Sequence, residues 1–161
     1  MACRVEHHVE FPANWRIVKT EQLYVEWAPI LSLSCLHCAT PLCISVCPTN
    51  AISKREEDGI VVVEAEKCQG KDNCDRCVVA CPYGIPQFGP EEKAKMQKCD
   101  FCLERLKEGK KPACVIHCPA YALDAGLLEE LIAKYGAVKE AIGFKYSKQA
   151  KPSIIFKPIK G

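Results

Sequence analysis

Apart from Cys3, the thirteen cysteines of this chain fall into three groups of four. The first is Cys35, Cys38, Cys43 and Cys47, followed by Pro48. The second is Cys68, Cys74, Cys77 and Cys81, followed by Pro82. The third is Cys99, Cys102, Cys114 and Cys118, followed by Pro119. Each group ends C-x3-C-P, as does the bacterial cluster-binding run C-x2-C-x2-C-x3-C-P, in which four thiolates hold each 4Fe–4S cluster. The chemistry implied is one-electron transfer through three 4Fe–4S clusters. A C-x2-C pair lets two thiolates reach neighbouring irons from one tight loop. The loop's N–H groups then face the cluster sulfurs, and such bonds help set the potential. Proline after the fourth cysteine fixes φ and turns the chain as it leaves the metal.

In two-cluster ferredoxins the fourth cysteine of a run serves the other cluster. Applied here, Cys35, Cys38 and Cys43 share a cluster with Cys81, and Cys68, Cys74 and Cys77 share one with Cys47. Cys99, Cys102 and Cys114 then need a fourth ligand from outside their group. Cys3 is the cysteine left to supply it, which makes Cys118 a free thiol. The rival is local ligation by Cys118, with Cys3 spare.

Other uses of cysteine fit less well. A disulfide framework needs an oxidising compartment and an even count. Residues 1–10 lack the apolar core of a signal peptide, so a reducing, cytoplasmic setting is expected. Structural zinc uses C-x2-C pairs but has no need of a C-x3-C-P ending in every group. No run approaches the ~18 apolar residues needed to span a bilayer, so no transmembrane segment is expected. Lys plus Arg (22) nearly balance Asp plus Glu (20), and a net charge of +2 gives no reason to expect a nucleic-acid partner. No phosphate-cradling glycine loop is present, and no residue is assigned a catalytic role.

Short elements hold these cysteines in place. The predicted fold is α+β: a small ferredoxin-like polyferredoxin with short hairpins and short helices, then a C-terminal helix and an extended tail. Residues 1–161 read as one multi-cluster domain, with an N-terminal segment (1–34), a cluster-binding core (35–125) and a C-terminal helix and tail (126–161). Gln22–Trp27 alternates as a strand. Asp58-Gly59, between Ala51–Lys54 and Ile60–Glu64, predicts a hairpin. Pro90 opens a predicted helix over Glu91–Gln97. Leu103–Glu108 reads as a helical turn stopped by Gly109, and Lys110 and Lys111 as a solvated tip. Asp124 is a predicted helix cap, with Leu127, Leu128, Leu131 and Ile132 as a packing stripe and Gly136 as the stop. Pro152–Phe156 reads as an extended apolar tail that either packs at home or pads a partner, and that breaks at Pro158. His7 and His8 read as surface histidines. Pro41, Cys43, Cys47, Pro48, Ala51 and Ile52 recur as Pro112, Cys114, Cys118, Pro119, Ala122 and Leu123, an internal repeat of a cluster-binding unit.

At these motifs the sequence resembles the iron–sulfur subunits of molybdenum and tungsten oxidoreductases, the dimethyl-sulfoxide-reductase type of four-cluster ferredoxin. The stretches that carry it are Cys35-Leu36-His37-Cys38 through Ile52, Ala80-Cys81-Pro82-Tyr83-Gly84, and Lys98–Cys102 with Arg105, Gly109 and Pro112 through Pro119. Lys151-Pro152-Ser153 resembles that family's closing segment. The family begins with a further cysteine group, and Ala2–His7 resembles only its last cysteine and the residues just after it. The resemblance therefore implies three clusters here and supports Cys3 as the crossed ligand. Cys68-x5-Cys74 is wider than the family's C-x2-C. Three-cluster versions resemble the small subunits of tungsten aldehyde-oxidoreductase-type enzymes, including the benzoyl-CoA reductase type of anaerobic bacteria. The function implied is an electron-transfer subunit for a larger tungsten- or molybdenum-pterin catalytic subunit, exchanging electrons with an external donor or acceptor protein. The alternatives are a free, diffusing polyferredoxin and a zinc-stabilised interaction module.

Overall fold

Residues that favour extended backbone come here in runs of two to five, and each run finds one antiparallel partner. The computed structural model describes residues 1–20 and 30–157. The strand predicted over Gln22–Trp27 and the break at Pro158 lie outside the described residues. Helix α1 (Ala2–His7) leads into strands β1 (Arg16–Thr20) and β2 (Ile30–Ser34), which pair with Arg16 opposite Ser34. Helix α2 (Leu42–Ser45) precedes β3 (Ile52–Lys54) and β4 (Val61–Val63), which pair with Ile52 opposite Val63. This is the hairpin that Asp58-Gly59 predicts. Gly59, at φ +71°, makes its tight turn, and the Asp58 carboxylate accepts the Ile60 N–H at 2.9 Å.

Helix α3 (Arg76–Ala80) is followed by β5 (Gln87–Phe88) and β6 (Met96–Gln97), which pair with each other. The helix predicted over Glu91–Gln97 is not formed. The segment makes one turn, Ala94 N–H to Glu91 O at 3.0 Å, and then spends its backbone on neighbours. Lys71 N–H donates to Ala94 O at 2.9 Å, and Met96 is buried against the second core. So short a segment has little helical stability of its own to resist that pull. Helix α4 (Leu103–Lys107) ends where predicted, with Gly109 at φ +70°. Helix α5 (Ala113–Ile116) and helix α6 (Leu128–Tyr135) complete the chain order. The architecture is α+β, built from short helices and short strand pairs in the ferredoxin-like manner. Among the described residues, no helix is long and apolar enough to cross a membrane.

Two small cores hold these pieces. One gathers Leu31, Leu33, Leu36, Ile85 and Phe144, with Cys35, Cys38 and Cys81 against it. The apolar tail packs at home on this core through Ile154 and Phe156. Tyr83 stacks on Phe144, ring centres 5.0 Å apart. The other core gathers Ile52, Val61, Cys77 and Met96, with Cys43, Cys47 and Cys68 beside it.

Asp124 does not cap α6. The helix starts after Leu127, and the carboxylate instead ties the preceding loop to the far end of the helix. Asp124 accepts Lys111 Nζ at 2.6 Å, Lys134 Nζ at 3.1 Å and the Tyr135 hydroxyl at 2.8 Å. The predicted solvated tip is thus half engaged, with Lys110 on Glu108 at 2.6 Å. The predicted packing stripe is half covered: Leu131 and Ile132 are partly buried, and Leu127 and Leu128 are exposed. The hydrogen bonds from Lys111, Tyr135 and Lys134 hold the Asp124 carboxyl well below the usual carboxylate range. A depressed carboxyl stabilises above its unfolded value, and the contribution fades as pH falls through the folded one. Asp124→Asn is expected to cost about 1 kcal/mol, unchanged from pH 8 to 5. Equal guanidinium midpoints for the two proteins at pH 7 would count against this.

Candidate metal centres

The internal repeat is repeated in backbone. Pro41 and Pro112 each precede a four-residue helix, α2 and α5, that carries the third cysteine of its group. Asn50 and Tyr121, at matching positions after the C-P turns, both sit in the left-handed region at φ 52° and 50°. The two C-x2-C loops match as well. His37 and Phe101 precede the second cysteine of each and have φ 41° and 64°. Their rings meet edge to face, 5.4 Å apart.

The fold brings twelve cysteines into three sets. In the first, burial pushes the Cys38 thiol up to about 12, and thiolates at Cys35, Cys81 and Cys43 add to it. Burial also raises Cys43 to about 11, with Cys35 adding, Lys98 opposing and Cys81 adding again. In the second, Cys47, Cys68, Cys74 and Cys77 line one cavity with Phe88 and Met96. Burial raises Cys77 to about 11, and Cys74, Cys68 and then Cys43 add to it. In the third, burial raises Cys3 to about 11, and Cys102 and Cys114 add to it. Helix α1 reaches this set by packing on α5. Cys99 is buried and pushed up to about 12. The Phe101 N–H, 3.4 Å from its sulfur, opposes that rise, and Cys35 and Cys3 add to it. Cys43 of the first set thus acts on Cys77 of the second, and Cys35 of the first acts on Cys99 of the third. The first set is therefore the one that acts on both of the others.

Cys118 stands apart. Bonds from the backbone of Ala122, with those from Ala120, Leu123 and Tyr121, bring its thiol below the ordinary value. Cys47 has the same kind of surroundings at matching positions. Burial raises its thiol, but bonds from Thr49, Ala51 and Ile52 together outweigh burial and lower it.

The donor chemistry fits iron–sulfur clusters. Converging thiolates raise one another, and bound iron removes that cost. Backbone N–H groups also point at sulfur, as Met96 N–H does at Cys68 Sγ, 3.5 Å away. His37 adds a buried donor. Its Nδ1 accepts the Val61 N–H at 3.0 Å, and its Nε2 is buried with no protein partner. Burial, with Lys98 and Lys54 nearby, lowers the His37 ring to about 3, so it stays neutral.

The cysteine pattern does not reveal three lysines. Lys54 Nζ donates to Cys38 O at 3.0 Å, Lys95 Nζ to Cys68 O at 2.7 Å, and Lys98 Nζ to Cys99 O at 3.0 Å. Each set thus has a cation fixed to the carbonyl of one of its cysteines. Lys98 is buried, 4% exposed, and also donates to Val61 O. Lys98→Met is expected to cost about 2–3 kcal/mol, because buried carbonyls lose their donor. Guanidinium unfolding of the cluster-loaded protein measures it, and an unchanged midpoint would contradict it.

His7 is not the surface histidine the sequence suggests. Its ring packs on Trp15, centres 4.7 Å apart, and its Nε2 lies 3.1 Å from Cys102 Sγ. Cys3 and His7 are one helical turn apart on α1, a spacing that puts them on one face. That spacing was the available signal. His8, beside it, is exposed at φ 49° and closes the helix.

Comparison with known proteins gives one family match, the 4Fe-4S dicluster domain, over residues 25–128. The B subunit of the anaerobic dimethyl sulfoxide reductase of Escherichia coli K12 is 47% identical over 132 residues, which are 82% of this chain and 62% of that protein. The thiosulfate reductase electron transfer subunit of Salmonella typhi is 46% identical over 99 residues, 61% of this chain and 49% of that one. The perchlorate reductase beta subunit of Dechloromonas aromatica is 42% identical over 96 residues, 60% of this chain and 28% of that one. This chain spans about three-fifths of the length of the dimethyl sulfoxide reductase subunit it matches.

Proposed function

We propose, from the premise that this protein belongs to the 4Fe-4S dicluster domain family, that it is an electron-transfer subunit. It relays single electrons through three 4Fe–4S clusters to or from a larger catalytic subunit of the molybdenum- or tungsten-pterin type. An external donor or acceptor protein serves the other end. Relatives named as subunits of dimethyl sulfoxide, thiosulfate and perchlorate reductases support this reading. What supports it is the convergence of cysteines in three sets, the first of which acts on both of the others.

In this reading Cys35, Cys38, Cys43 and Cys81 hold the middle cluster. Cys47, Cys68, Cys74 and Cys77 hold one outer cluster, and Cys3, Cys99, Cys102 and Cys114 the other. Each bound cluster supplies a site that gains or loses one electron. The protein's own part is to exclude water, to direct N–H groups at sulfur, and to place Lys54, Lys95 and Lys98 where they offset the negative charge of the thiolates. Anaerobic purification from native cells tests the proposal. The expected result is a stable complex with a larger subunit, in which this chain carries about twelve irons and twelve sulfides, four of each per cluster. Loaded protein recovered alone would favour the diffusing polyferredoxin. Colourless zinc protein without sulfide would defeat both.

A further inference from the structure

We propose that His7 is a positioning residue that tunes the third-set cluster, by donating its Nε2–H to the sulfur of Cys102. The proposal rests on the reading above, in which Cys102 is a cluster ligand.

The ring is fixed from several directions. Nε2 is 3.1 Å from Cys102 Sγ and 3.6 Å from Asp100 Oδ1. Trp15 packs on the ring and is itself held by its Nε1–H bond to Gln97 Oε1 at 2.8 Å. Helix α1 is anchored one residue earlier by Glu6, whose carboxylate accepts a hydrogen bond from Arg105 Nη1 at 3.2 Å. His7 is therefore held over the sulfur by contacts to residues far along the chain.

The direction of the bond follows from ligation. A sulfur bonded to iron carries no proton and can only accept, so Nε2 must carry the hydrogen. Asp100 does not compete strongly for it, because Asp100 Oδ1 lies 3.6 Å from Nε2, beyond normal hydrogen-bond length. A donor on a ligating sulfur withdraws negative charge from the cluster and so favours its reduced form. Among the described residues, no other histidine sits within hydrogen-bond reach of a cysteine sulfur. His7, Asp100 and Cys102 also meet the spacing for a single metal ion, with ligand atoms within 4.8 Å of one another. Such an ion would take Cys102 from the four-sulfur set, which is why a hydrogen bond is the better account.

The test is an anaerobic redox titration of the loaded protein, followed by electron paramagnetic resonance, on wild type, His7→Leu and His7→Gln. In His7→Leu one of the three midpoints is expected to fall while the other two hold. His7→Gln, which keeps a donor near the Nε2 position, should move that midpoint back toward wild type. Unchanged midpoints in His7→Leu overturn the proposal. Should His7→Leu lose iron, wild type with 15N-histidine decides. A 15N hyperfine coupling to one reduced cluster that vanishes in His7→Gln supports the bond, and no such coupling overturns it. A metal ion beyond the cluster irons, lost in both variants, would also overturn it. Wild type without iron would instead defeat the electron-transfer reading, a different result from clusters present with midpoints unmoved.

Discussion

Removing iron and sulfide under anaerobic conditions is expected to abolish the tertiary structure, leaving a chain without a cooperative thermal transition. Among the described residues, Val61 is the one large side chain buried almost completely. Every sheet there is a two-stranded pair, which is marginal alone in water. The longest helix among the described residues, α6, has eight residues, and helices shorter than about twelve need packing to persist. Both cores are walled by cysteines that the reading assigns to clusters. Without metal those walls become buried thiols whose ionised forms repel. Binding free energy at such a site is folding free energy, as in the smallest zinc domains. Near-ultraviolet circular dichroism before and after chelation measures it. An apo form that keeps its aromatic signal and melts sharply would refute it.

Cys3→Ala is expected to lose the iron of one cluster, about a third of the total, whereas Cys118→Ala loses none. The argument is positional. Cys3 sits among Cys102 and Cys114 and also acts on Cys99, so it completes a set of four sulfurs without Cys118. Iron and sulfide analysis of both variants, with one cluster's spectrum missing in Cys3→Ala alone, would support the assignment. Iron lost from Cys118→Ala and retained in Cys3→Ala would reverse it. The low thiol value of Cys118 adds a second readout: in the loaded protein it should react with iodoacetamide before any other cysteine.

What could be read in the sequence was local. The cysteine groups, the Asp58-Gly59 hairpin, the stop at Gly109 and the Pro41/Pro112 repeat each lie within a few residues of their own cause. What could not be read depends on partners far away. Gln87–Phe88 is too short to show alternation, so its pairing with Met96–Gln97 was hidden behind a false helix. Lysine ordinarily lies at the surface, so nothing in the sequence marks Lys98 as buried. His7 has its contacts from Cys102 and Trp15, one 95 residues along the chain and the other beyond its own helix. Asp124 looks like a cap by position but is recruited by Lys111, Lys134 and Tyr135.

Residues 150–153 close the loop that carries the first cysteine group. Ala39 N–H donates to Lys151 O at 2.7 Å, Thr40 N–H to Ala150 O at 3.0 Å, and Ser153 N–H to Leu36 O at 3.0 Å. A ribosome makes that loop early and its fastenings late. Until residues 150–153 have left the exit tunnel, the early cysteines have no finished seat. Cluster insertion at this loop is therefore expected after synthesis rather than during it.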